Sequence, residues 1–137
     1  MAKKAVKPSE LEFHILQVLW EAQQREELPL PVREVRSRLE LQGRELAHTS
    51  VITILEIMVK KGLVKRTKRK NANFYRPTVE RSAIEKQELG DLLGRVFNGS
   101  PEKLMLSLLD SKRLDEEDLQ EIKRLISAYE SKDAKRS

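Results

Sequence analysis

Cysteine is absent from the 137 residues. That excludes a disulfide framework, thiolate metal ligands and a cysteine nucleophile. Histidine occurs only at His14 and His48, which stand far apart in the sequence. Aromatic residues make up 4% of the chain, which argues against an aromatic-packed β-sandwich. No apolar run approaches the roughly 20 residues of a membrane-spanning helix. The leading Met1-Ala2-Lys3-Lys4 carries no signal-peptide apolar core. A Gly-rich phosphate loop and a recognisable pair of catalytic carboxylates are missing as well. These gaps lead us to expect a cytoplasmic protein that is not an enzyme and takes no metal or cofactor.

What remains is charge and helix. Charged residues account for 36% and hydrophobic residues for 39%, enough apolar surface for a folded core. The length fits one domain, or one domain with a small appendage. The net charge of +5 is unevenly spread: residues 1–79 carry +7 and residues 80–137 carry −2. A basic first half and a mildly acidic second half point to an anion-binding module joined to something of another kind. The stretch Lys60-Lys61-Gly62-Leu63-Val64-Lys65-Arg66-Thr67-Lys68-Arg69-Lys70 holds seven cations and no acid.

Residues 1–8 read as a flexible basic arm. Ser9 and Glu12 form a capping-box pattern that opens a first helix over about 9–23, with Leu11, Ile15, Val18, Leu19 and Ala22 at helical spacing. Trp20 is expected in the core, His14 at the surface or at the core's boundary. Leu28-Pro29-Leu30-Pro31 breaks the chain, and Pro31 suits the first position of a short second helix that ends before Gly43. A third helix spans about 48–61, with Val51, Leu55 and Met58 on one face and Thr49, Thr53, Glu56 and Lys60 opposite. Gly62 stands where a helix C-cap wants positive φ. Leu63–Thr67 and Phe74–Pro77 then read as a hairpin with a basic tip, Pro77 marking an edge strand or a strand end.

Beyond residue 80 the pattern is helical throughout. Ser82 and Glu85 form a second capping-box pattern, and that helix ends at Asn98-Gly99, with Phe97 expected in a core. Ser100-Pro101 starts the next helix. Asp115 starts the last, its acidic run Asp115–Asp118 complementing a helix dipole rather than holding a metal. Three helices this short bury little among themselves. The expected partner for their apolar faces is a second copy, through Leu92, Val96, Phe97, Leu104, Leu108, Leu119, Ile122 and Ile126. The expected fold is therefore mainly α with a small β-hairpin: a winged helix-turn-helix over 9–79, a helical dimerisation segment over 80–130 and a flexible tail over 131–137.

In a helix-turn-helix the second helix of the pair enters the major groove. Here that is the third helix, whose first turns offer Thr49, Ser50, Ile52 and Thr53, with Lys60 further along. Small hydroxyl side chains allow close approach, and a Thr methyl can meet thymine. Thr49 and Ser50 have an ordinary alternative role as helix caps. Glu56 is expected to point past the groove and pair with Lys60. The wing residues Lys65, Arg66, Lys68, Arg69, Lys70 and Asn71 match a hairpin lying along phosphates.

The segments Ala47-His48-Thr49-Ser50-Val51-Ile52-Thr53-Ile54-Leu55 and Val59-Lys60-Lys61-Gly62-Leu63-Val64 resemble the recognition helix of the BlaI/MecI-type penicillinase repressor family. Ser9-Glu10-Leu11-Glu12, Leu19-Trp20 and Phe97-Asn98-Gly99-Ser100 fit the same family, so the resemblance runs from about residue 8 to 130. It implies a homodimeric winged-helix repressor on a palindromic double-stranded operator. The dimer would be held by the C-terminal helices, with Thr49, Ser50, Thr53 and the wing at DNA. It also implies relief by a membrane sensor protease that cuts the dimerisation region at an Asn-Phe bond; the corresponding bond here is Ser107–Leu108. Lys70-Asn71 replaces the family's usual Gly-Arg wing pair and Glu56-Ile57 its usual Asn-Arg pair, which implies an altered operator. The copper-responsive relatives use C-terminal cysteines, which this chain lacks. The competing reading is a winged-helix module that binds protein, which a seven-cation wing disfavours.

Overall fold

Ser9 opens the first helix. In the computed structural model, which describes residues 6–134, its hydroxyl accepts the Glu12 amide at 3.2 Å. The Glu12 carboxylate in turn accepts the Ser9 amide at 2.9 Å, closing the expected capping box. Helix α1 runs Glu10–Gln24, and its buried face carries Ile15, Leu16, Val18, Leu19, Trp20 and Ala22. Trp20 is core as expected. Its indole N–H donates to the Val79 carbonyl at 2.9 Å, and Phe13 meets its ring edge-on at 5.9 Å. His14 sits at the core boundary, where its Nε2 lies 2.8 Å from the Arg44 guanidinium.

Glu12 is the one buried acid among the described residues. It also accepts from the Lys61 ammonium at 2.7 Å, linking the start of α1 to the end of the third helix. Burial pushes its pKa up, but the bonds from Lys61 and Ser9 more than reverse this and the net value lies below the ordinary 4.5. A depressed carboxylate stabilises the fold above its unfolded pKa, and the contribution is lost as pH falls through the folded one. Glu12→Gln is therefore expected to cost about 1–2 kcal/mol at pH 7. In urea titrations the gap to the wild type should narrow as the pH falls below the ordinary carboxylate range and close once the folded carboxylate is protonated. A gap that persists at low pH would mean that Gln fails there for steric reasons.

After α1 come β1 (Leu30–Pro31), α2 (Val32–Leu41), α3 (His48–Lys61), β2 (Val64–Arg69) and β3 (Ala72–Pro77). Two features differ from the sequence reading. The Leu28–Pro31 break contains a two-residue strand, so the sheet has three antiparallel strands in the order β1-β3-β2, not two. Pro31 is the N-cap of α2 rather than its first residue. Pro77 is the last residue of β3, which is the central strand, so the edge alternative falls. Leu30 of β1, Val35 and Leu39 of α2, Val51, Leu55 and Met58 of α3, Leu63, Val64 and Tyr75 pack into the same core.

Helix α4 (Arg81–Val96) starts one residue before Ser82, and the expected Ser82–Glu85 box does not form. Ile84 alone on this helix is buried, in the same core as α1–α3. The chain divides into one compact unit ending at Glu88 and another beginning at Leu89. In the second unit, Asn98 (φ 52°) and Gly99 (φ 76°) turn the chain, and Ser100 caps α5 (Pro101–Asp110) by accepting the Lys103 amide. Asp115 and Asp118 each accept the other's amide at the start of α6 (Glu116–Ala134). Residues 131–134 thus continue a helix, where the sequence reading placed a tail; 1–5 and 135–137 of the expected arm and tail lie outside the described residues. Phe97, expected in a core, is only half-buried, and no described residue after 88 is buried.

Candidate nucleic-acid interface

Helices α2 and α3 are joined by a turn that the backbone itself ties down. Gly43 takes φ 86°, the Arg44 amide donates to the Leu39 carbonyl at 2.9 Å, and Arg36 Nε donates to the Leu46 carbonyl at 2.8 Å. These bonds set the angle at which α3 leaves α2. At its far end α3 stops at Gly62, whose φ of 78° a β-carbon would oppose. Its buried face is Val51, Leu55 and Met58. Opposite it, Thr49, Thr53 and Lys60 are exposed, while Ser50 and Ile52 are half-buried.

Neither Thr49 nor Ser50 caps this helix. The N-cap is Ala47, which contributes no side-chain bond. Thr53 donates its hydroxyl to the Thr49 carbonyl at 3.0 Å, which leaves its oxygen able to accept. The hydroxyls of the first two turns are thus not consumed by helix capping.

The wing is longer than the sequence reading allowed. Its strands pair from Val64↔Pro77 to Arg69↔Ala72 and are closed by Lys70-Asn71 alone. Both residues have positive φ, 46° and 66°, the pattern of a type I′ turn. Asn is well suited to it, and Lys less so. Strand alternation puts Val64, Arg66 and Lys68 on the face that carries buried Tyr75, with Lys65, Thr67 and Arg69 on the other. Arg69 stacks over the Phe74 ring at 5.8 Å.

The seven cations of the basic run do not share one fate. Lys60, Lys65, Lys68, Arg69 and Lys70 are exposed and make no ion pair among the described residues. Lys61 is held by Glu12. Arg66 is held by Glu56, one guanidinium nitrogen reaching both carboxylate oxygens at 2.5 and 2.7 Å. The expected Glu56–Lys60 pair is therefore replaced by Glu56–Arg66, with the Tyr75 hydroxyl adding a bond to Glu56 at 3.3 Å. The Arg66 guanidinium holds the Glu56 carboxyl below its ordinary range. Burial and the nearby Glu56 charge push the Tyr75 phenol up.

Between α3 and the wing lies an open groove of about 510 Å³, lined by Val32, Arg33, His48, Ile52, Asn73 and Phe74 among others. Sequence reasoning did not single out Arg33 or Asn73. The signal for Arg33 was its place in the first turn of the helix preceding α3. His48, read as a polar helix-start residue, is the first residue of α3 and also lines this groove. Among the described residues no cluster of His, Asp and Glu is arranged to hold a metal ion, and no helix is long and apolar enough to cross a membrane.

A family model described as penicillinase repressor matches residues 8–128. A penicillinase repressor of Staphylococcus aureus is 20% identical over 132 residues, spanning 96% of this chain and 100% of the relative. Among solved structures, the complex hsRosR-S4, of RosR from H. salinarum, superposes with a TM-score of 0.53 at 18% identity, covering 93% of this chain and 94% of that one. The complex hsRosR-SG gives a TM-score of 0.50 at 18% identity, over 94% and 97%. Those two likenesses bear on the fold, the winged helix, and the family match bears on the role. The chain belongs to the penicillinase repressor family, and is a non-enzymatic, DNA-binding transcriptional repressor of winged-helix type.

Proposed function

We propose that two copies of the chain bind a palindromic operator, each placing α3 in a major groove and its wing along the adjoining phosphates. Thr49, Ser50, Ile52 and Thr53 meet base edges, and Lys60 with the exposed lysines and Arg69 of the wing meet the backbone. The observation that carries this reading is the distribution of side chains on α3 and the wing. The hydroxyls of α3 are unused by its cap, and five exposed cations without ion pairs flank them. The Glu56–Arg66 pair also removes the objection that a bare carboxylate on the reading helix would repel phosphate.

Dimerisation is supported by the second unit. Not one described residue from 89 onward is buried, while Val96, Leu106, Leu125, Ile126 and Tyr129 are each more than half exposed. Helices with faces this apolar gain stability by covering them, and a second copy offers a matching surface. Relief of repression by a membrane sensor protease would act at Ser107–Leu108. That bond lies inside α5, with Ser107 exposed, so cutting it requires local opening of the helix.

Protection mapping on the DNA upstream of the chain's own gene tests the reading, with two half-sites a helical turn or a multiple of it apart as the expected footprint. Thr49→Ala and Thr53→Ala should each weaken binding to that duplex by about 1–2 kcal/mol and leave binding to a random duplex nearly unchanged. Equal losses on the two duplexes would show that these threonines do not read bases.

A further inference from the structure

We infer that Glu56 is a positioning residue for the wing, and that it keeps Arg66 off the phosphate backbone; this rests on the DNA-binding reading above. Glu56 stands on the groove-side face of α3, two turns beyond Thr49. Arg66 lies on the inner face of β2, directly across from Tyr75 on β3. The carboxylate accepts from both, so one acid joins the reading helix to both strands of the wing. Tyr75 is fully buried, which fixes one of the three members in the core. Charge-assisted bonds to an arginine are directional, and a third partner restricts the carboxylate further.

The pairing has a consequence for DNA. A wing cation that is free in the protein neutralises a phosphate and releases counterions whatever the sequence. An arginine already neutralised by its own protein contributes little to that term. Arg66 therefore sets the angle between α3 and the wing, while Lys65, Lys68 and Arg69 supply the attraction. The arrangement lowers affinity for random DNA and keeps the wing in the register that the operator requires.

The test measures log K against log salt by fluorescence anisotropy, on a random 30-base-pair duplex and on the protein's own upstream duplex. Glu56→Gln frees Arg66. It is expected to tighten binding to the random duplex and to steepen the salt slope by about 1 per protomer. That corresponds to roughly a threefold to fourfold larger loss of affinity per protomer between 50 and 200 mM salt. Discrimination between the two duplexes should fall. Lys68→Ala should flatten the slope by about 1 per protomer, and Arg66→Ala, which bares the Glu56 carboxylate, should weaken binding to both duplexes. The double variant Glu56→Gln/Arg66→Ala should return the slope to the wild-type value, because the gain requires the freed guanidinium.

An unchanged slope in Glu56→Gln, with a normal wild-type slope, overturns the inference alone. So does a flattened slope in the double variant, which would place Arg66 on a phosphate in the wild type. A wild-type slope near zero overturns both the inference and the DNA-binding reading. Thermal melts of the variants identify any that fail to fold. Should Glu56→Gln be one of them, the double variant and Tyr75→Phe decide: Tyr75→Phe removes only the third bond and is expected to steepen the slope, by less than about 1 per protomer.

Discussion

Ile126→Glu is expected to turn a dimer into a monomer and to lower operator affinity by about 10²–10⁴-fold. Ile126 lies on α6 and is 52% exposed in the single chain. A glutamate there leaves the isolated protomer's fold almost untouched, since an exposed helix position tolerates it. In a covered apolar interface the same carboxylate would be stripped of water without a partner, at a cost of several kcal/mol. Two half-sites bound by one molecule act in concert through effective concentration, and separate protomers lose that advantage. Sedimentation velocity checks the assembly and anisotropy checks the affinity. A variant that still sediments as a dimer would remove this face of α6 from the interface. A wild type that sediments only as a monomer at micromolar concentration would remove the dimer altogether.

The second large effect belongs to the wing. Replacing Lys65, Lys68 and Arg69 together by alanine should flatten the salt slope by about 5 per dimer and weaken binding to every duplex by ~10³-fold or more at 100 mM salt. The estimate assumes one phosphate for each exposed cation. All three are exposed and make no ion pair among the described residues, and none is buried in the core, so the fold should survive their loss. Arg69 alone has a second task, over Phe74, and its removal should loosen the wing slightly. The control is Lys61→Ala, in the same basic run but paired with Glu12, which should cost stability and leave the salt slope unchanged. If the triple variant lost affinity for the operator alone, the wing would be reading sequence rather than charge.

Much of this molecule can be read from local signals. The Ser9 capping box, the buried face of α3, the Gly62 stop and the Asn98-Gly99 turn all depend on neighbours in sequence, and all stand in the structure. Contacts between distant segments were less legible. Strand β1 is two residues long and contains a proline, so it has no periodicity to detect; only its pairing with Phe74 and Tyr75 makes it a strand. Glu56 and Lys60 stand at i, i+4, the spacing that favours an ion pair on a helix. A guanidinium from the wing, ten residues along the chain, makes the pair instead. Ser82 satisfies a capping pattern that the chain does not use, because α4 begins one residue earlier. Phe97 reads as core by its place in an apolar helical pattern, but it is only half-buried in the chain. In the basic run, composition gave the number of cations without telling paired from free.

The bare N-cap of α3 bears on how such proteins diverge. Ala47 lends the helix no bond, and the first turns of α3 do not depend on the hydroxyls of Thr49 or Ser50 for their start. Substitutions at those two positions therefore carry little penalty in folding. Most surface changes of that kind fall within about 0.5 kcal/mol. Binding preference can drift there while the scaffold stays above its stability threshold. After gene duplication, two descendants of this chain could come to recognise different DNA sequences without any compensating change in the core.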